Sequence, residues 1–451
     1  MINTLYLPEL REMLAEGDRD GLREFCEALH PARTAEFMEG LSPDETWRVL
    51  AAADRSTRTE VFGYLPEEMQ IELVHTNEPV EASALIADLP PDDAVDLLKQ
   101  ADEQAVDALL PLLPAEERRD ILRLRAYPEG TAGSLMTTDI ARLPEALTVR
   151  QALEEIARQS EELETIYYIY IVDEENHLRG LVSTRQLVTH LGKPDITVCD
   201  LMERDLVTVE ATDDQEAVVE KVADYDFLAI PVVDHEQHLV GIITHDDVID
   251  ALQEEATEDA LLAGAVEPIP DGYISTPLLR LTRARASWLA VLFAGALVTV
   301  LALESYNRTL EEIAWLVWFI PVVISSGGNT GSQSATLVIR ALTTKEVTPA
   351  EWVAVLFREL AIGCLLGLFL AAIGYVAGVF LAPSATAALV LPLTLVLVVL
   401  SGALLGGLLP LLFQRFGLDP ALMSTPFVAG IIDIVGIVVY MNVAMLLLPG
   451  G

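Results

Sequence analysis

A single carboxylate, Asp433, interrupts the apolar run AGIIDIVGIVVY at 429–440. The stretch around it, Leu422 to Leu448, is long enough to cross a bilayer at ~20 residues per span. A charged side chain at the centre of a membrane helix costs ~2.5–3.5 kcal/mol on insertion scales. One hydrogen bond to a neighbouring helix returns only ~0.6 kcal/mol on average. Asp433 is therefore expected to meet a cation on a water-filled path. A second interruption, SSGGNTGSQSAT at 325–336, carries three glycines, Gly327, Gly328 and Gly331, beside Asn329, Ser332 and Gln333. Glycines weaken a helix. Small residues let helices approach closely, and irregular backbone at membrane depth is tolerated where it lines a cavity. The pore group expected is Asp433 with Gly328, Asn329, Thr425, Ala429 and Gly436.

Charge divides the 451 residues in two. Residues 1–272 hold 61 Asp and Glu against 20 Lys and Arg, which is the whole net charge of −41; residues 273–451 hold 8 against 8. A strongly acidic part therefore precedes an apolar, neutral one. The acidity excludes a nucleic-acid partner and suggests cations, although a diffuse acidic surface also suits a high-salt habitat. Cys26, Cys199 and Cys364 are odd in number and far apart, which fits a reducing compartment without disulfides. The first twenty residues lack the basic and apolar regions of a signal peptide.

Five spans are read after residue 273: 288–303, 313–341, 352–381, 387–413 and 422–448. Arg280, Arg283, Arg285, Arg340, Lys345, Arg358 and Arg415 fall on one side of them and only Arg308 on the other. By the positive-inside rule the N-terminal part is cytoplasmic and the C-terminus faces out, in a cell (inner) membrane. Asp433 is read as the one acid deep in a span, with Glu304, Glu311, Glu312, Glu346, Glu351 and Glu359 near span ends and Asp419 in a loop. The spans offer no nucleophile–base pair or carboxylate dyad, so an enzyme is not expected. A cation-coupled secondary transporter of divalent metals is the alternative to a channel; no inverted repeat marks one.

Two repeats organise the acidic part. LSPDE at 41, LPEEM at 65, LPPDD at 89 and LPAEE at 113 recur every 24 residues. Proline and acids at each start are helix N-terminal signals, and a period of this kind means stacked helical units. Asp92 and Asp96 share a helix face at i,i+4, read as lacking a basic partner there, with Asp88 just before. Further on, TIYYIYIVDEENHLRGLVSTRQL (165–187) parallels FLAIPVVDHEQHLVGIITHDDV (227–248), predicting two tandem βαββα units. The run IDALQEEATEDALLAG at 249–264 reads as a helix leading to the membrane.

DLMERDLVTV, the PVVD strand and GIITHDDV resemble CBS domains, and the order of parts resembles the MgtE family of magnesium channels from end to end. The motifs that carry it are ETIYYIYIVD, ADYDF, EATED, GGNTGSQSAT and DPALMSTP, with the context of Asp433. The fold class expected is multidomain: an all-α superhelical N domain (1–128), α/β CBS domains (129–196 and 197–248), a connecting helix (249–272) and an all-α five-helix transmembrane bundle (273–451). The resemblance implies a homodimer with Asp433 from both chains at a selectivity position. It implies Mg2+ as permeant and as regulatory ion, closing the pore from the cytoplasm. The implied regulatory ligands are Glu60, Asp88, Asp92, Asp96, Asp214, Glu216, Asp226, Asp247, Asp250, Glu255, Glu258 and Asp259. ATP or another adenine nucleotide in the CBS cleft is implied through Tyr170 and Phe227; the first unit ends VSTRQL, without the usual T-x-x-D.

Overall fold

The computed structural model describes residues 5–160, 163–269, 272–274 and 276–448. Two compact units make up the chain, Met1–Leu252 and Gln253–Gly451.

In the first unit each 24-residue repeat opens a helix: Pro43–Leu50, Glu67–Thr76, Pro91–Gln100 (α1) and Ala115–Leu124. Ser42 shows why. Its hydroxyl accepts from the Glu45 amide, the Glu45 carboxylate accepts from the Ser42 amide, and Pro43 occupies the first helical position, a capping box that satisfies two orphan donors at the helix N-terminus. The leading leucines of the repeats, Leu41, Leu65, Leu89 and Leu113, are all buried, so the period is that of a continuous core. The first three repeats hold two helices each. Ala101, which is extended, separates α1 from a further helix at Glu103–Leu109.

Two three-stranded sheets follow. β1 (Ile140–Pro144) pairs parallel with β2 (Thr165–Val172), and β2 antiparallel with β3 (Leu178–Ser183); β4 (Val209–Glu210), β5 (Ala229–Val233) and β6 (Leu239–Thr244) repeat the pattern. Helices Val149–Gln159 and Gln215–Tyr225 cross over between the parallel strands, giving the expected βαββα order twice. After β6 comes the helix α2, His245–Ala263.

The second unit contains α3 (Leu278–Ser305), α4 (Ile320–Thr343), α5 (Trp352–Leu381), α6 (Val390–Arg415) and α7 (Thr425–Leu447). Among the described residues four of these are long and apolar enough to cross a membrane. The exception is α4, whose 24 residues would span ~36 Å but whose face is glycine, serine, threonine and asparagine. It also starts at Ile320, not Ile313, because 314–319 form a separate 3-10 turn. Close packing explains its composition: a methyl group on Gly406 of α6 would collide with the Gly331 carbonyl oxygen of α4. Tyr440 of α7 is fully buried and donates its hydroxyl to the Leu316 carbonyl at 2.9 Å, closing the other end of the bundle.

Candidate functional site

Asp433 lies on α7, half-buried, and faces α4. Gly328 is opposite: a Cβ built there would stand 3.4 Å from Asp433 Oδ1 and 3.5 Å from the Ala429 Cβ. Glycine thus brings bare backbone up to the carboxylate. Ala429, Gly436 and Thr425 sit at i−4, i+3 and i−8 from Asp433, one face of a helix. Gly436 is buried against Val398 of α6, while Asn329 is exposed and donates to Ser325 Oγ at 3.3 Å. The Thr425 carbonyl accepts from Ser332 Oγ of α4 at 3.1 Å, and the Thr425 hydroxyl donates to the Ala263 carbonyl at the end of α2 at 3.3 Å. The connecting helix therefore ends against the first turn of the Asp433 helix.

Acids gather at that end. The Asp259 carboxyl is raised above the usual carboxylate range, first by burial and then by Asp419, Glu255 and Glu258.

A second gathering lies in the first unit. Asp92 of α1 is buried, and its Oδ1 has no hydrogen-bond partner. Its carboxyl is pushed well up, first by burial, then by Asp247, Asp93 and Glu164. Asp247 is raised as well, first by burial, although Thr244 donates to its Oδ2 from the hydroxyl at 2.6 Å and the amide at 3.3 Å. Glu164 is pushed up to about 7, by displaced water first and then by Asp247, Asp246 and Asp93. Its side chain keeps solvent access. Among the described residues no three His, Cys, Asp or Glu side chains already form a metal-binding group. Yet a buried carboxylate oxygen without a donor, ringed by other carboxylates, is the hard-oxygen set that suits Mg2+.

The other expected ligands are placed differently. Asp88 is held in a bidentate ion pair with Arg55. Asp96, read as lacking a basic partner, has one in Lys99 at 2.9 Å, since i,i+3 also brings side chains together. Glu60 accepts from Ser56. Asp214 caps helix Gln215–Tyr225 by accepting from the Glu216 amide, and Asp226 closes that helix at φ 54°; Glu216 and Asp250 are exposed. Tyr170 is buried among Ile140, Val172, Leu239 and Ile242, its hydroxyl without a partner, and Phe227 stacks on Tyr225 at 5.4 Å. Three acids were missed as site members: Glu164, Asp93 and Asp419. Glu359, read as lying near a span end, is buried inside the bundle and bonded to Ser334.

An acidic helical domain, paired CBS-type units and a glycine-packed helical bundle carrying Asp433 are the parts of a membrane transporter of divalent cations. Family models match accordingly: the MgtE intracellular N domain over 29–130, CBS domains over 132–193 and 198–254, and a divalent cation transporter over 320–443. The magnesium transporter MgtE of Thermus thermophilus is 38% identical over 97% of this chain and 98% of its own length; that of Bacillus subtilis is 29% identical over 96% and 95%. The crystal structure of the soluble part of a magnesium transporter covers 55% of this chain and 97% of its own at 34% identity (TM-score 0.52). The cytosolic domain of the Mg2+ channel MgtE in complex with ATP covers 53% and 98% at 36% identity (TM-score 0.50). The chain belongs to the MgtE family of magnesium transporters and is a transporter, not an enzyme.

Proposed function

We propose that this chain is a Mg2+-selective channel for magnesium uptake, closed by cytoplasmic Mg2+. It works as a homodimer in the cell membrane, with the acidic part cytoplasmic and the C-terminus outside. The observation that carries the reading is the chain of contacts at Thr425: the helix bearing Asp433 begins where the connecting helix ends.

The permeant ion gives up its waters reluctantly and takes six oxygens. Asp433 carboxylates from two copies attract it through those waters, and the bare backbone at Gly328 leaves room beside them. Two negative groups favour a divalent ion, while contact through water keeps release fast.

The gate rests on repulsion. Asp92, Asp247 and Glu164 crowd one another around an oxygen with no donor, and Asp259 crowds Asp419, Glu255 and Glu258. Regulatory Mg2+, when bound, supplies the positive charge that offsets this repulsion. Asp247 near the start of α2 and Ala263 at its end belong to one helix, so tightening the first group biases the contact with Thr425. That is a two-state switch set by differential binding, and it limits uptake when the cell is replete.

A nucleotide in the CBS pair is supported by the relative crystallised with ATP. The side chains it would meet are Phe227, stacked on Tyr225, and the buried Tyr170, whose hydroxyl lacks a partner.

Limited proteolysis of the full-length protein across a Mg2+ titration tests the gate. Protection that rises with Mg2+ and not with matched ionic strength is expected. Equal responses to both would reduce the acidity to a high-salt surface and remove the sensor.

A further inference from the structure

Glu359 is eight residues into α5, about two turns below its cytoplasmic start. It is 5% exposed. The rest of its buried stripe is Val355, Gly363, Gly367, Ala371, Gly374 and Gly378, residues at helical spacing that seat α5 against α6: Gly363 lies on Leu400 and Ala403, and Gly367 on Val396. The carboxylate passes α6 at Gly407, where an added Cβ would lie 2.7 Å from Glu359 Cγ. Beyond that notch it accepts a hydrogen bond from Ser334 Oγ of α4 at 2.7 Å. Ser334 is buried too. Three helices thus meet at one polar contact.

What this contact fixes follows from the interface beside it. Helix α4 meets α6 glycine to glycine, at Gly331, Gly402 and Gly406. Such surfaces approach closely but carry no side chains that interlock along the axis. A buried polar contact specifies register where apolar packing does not, because any slip leaves a buried group unpaired. Ser334 lies six residues, under two turns, from Gly328 on the same helix, so the rotation and height of α4 at Ser334 set where Gly328 meets Asp433.

We propose that Glu359 is a positioning residue for ion selection: through the Gly407 notch it holds Ser334 and thereby sets Gly328 against Asp433. This rests on the reading of Asp433 as the group that meets the ion.

The test uses the full-length chain in proteoliposomes, with Mg2+ influx and Ca2+ influx measured separately. Ser334→Ala removes one oxygen and is the least disruptive variant; Gly407→Ala closes the notch with the acid intact; Glu359→Ala removes the acid. Each is expected to raise half-saturating Mg2+ about three-fold or more and to raise Ca2+ relative to Mg2+. Glu359→Gln keeps an acceptor of the same length and is expected to restore both to within about two-fold. The Glu359→Ala/Ser334→Ala double variant is expected to be no worse than Glu359→Ala alone. A normal Ser334→Ala, or a Glu359→Gln as defective as Glu359→Ala, overturns the proposal. A flux-independent readout separates it from the pore reading: spin labels at Leu337 of α4 and Leu365 of α5, both exposed, with Cys26, Cys199 and Cys364 replaced. Glu359→Ala is expected to broaden their distance distribution and Glu359→Gln to leave it narrow. An unchanged distribution in Glu359→Ala overturns the clamp even if Asp433→Asn has abolished flux.

Discussion

Gly328 and Asp433 face each other across the α4–α7 contact, with only 3.4 Å between a built Gly328 Cβ and Asp433 Oδ1. The side chain at 328 therefore decides how much room remains beside the carboxylate. Gly328→Ala makes an ordinary van der Waals contact and is expected to lower Mg2+ flux by about two- to three-fold, whereas Gly328→Leu overfills the gap and lowers it ten-fold or more. Flux into liposomes, with melting temperature as the control for folding, checks this. Equal flux in glycine and leucine forms would put the ion elsewhere.

Thr425 ties the connecting helix to the helix bearing Asp433 by one hydroxyl. Thr425→Val keeps the shape and loses a hydrogen bond of ~1 kcal/mol, about five-fold in a closed-to-open ratio. The expected result is a higher cytoplasmic Mg2+ concentration for half-closure, read in patch recordings.

Asp88 is engaged by Arg55, whose side chain is 75% exposed. Exposed pairs contribute little, so Arg55→Ala is expected to leave stability nearly unchanged. If Asp88 serves the regulatory ion, freeing it lowers the Mg2+ needed for half-maximal protease protection. A higher requirement would show Arg55–Asp88 to be purely structural.

The carboxylates around Asp92 predict a pH dependence. Glu164 rises to about 7 in the folded chain, against ~4.3 for a free glutamate. Between those values the folded state holds more protons than the unfolded one, so stability without Mg2+ falls as pH rises from about 4 to 7. Asp92 and Asp247 are raised in the same direction. Thermal unfolding of the full-length protein in EDTA should show that fall, and Asp92→Asn should flatten it. Stability that climbs over this window in EDTA would contradict the repulsive cluster.

Much of the architecture was legible in spacing alone. The 24-residue period marked helix starts because proline and acids have a local reason to be there, and the buried leading leucines keep the period. Asp433 was legible because a lone acid in an apolar run has few structural explanations. Contacts between distant elements were not: Arg55 is 33 residues from Asp88. Lys99 at i+3 from Asp96 was visible in the sequence but lay outside the i,i+4 pairing considered. Glu359 was misplaced because distance from a span end was read instead of helix face. Its i+4 and i+8 neighbours, Gly363 and Gly367, put it on the small-residue stripe that had to be buried.

The most direct test is current carried by Mg2+ alone through reconstituted protein, with and without Asp433→Asn. The account predicts at least a ten-fold loss of Mg2+ current in a variant that still folds and still gains protease protection with Mg2+. Undiminished Mg2+ current in Asp433→Asn would contradict it.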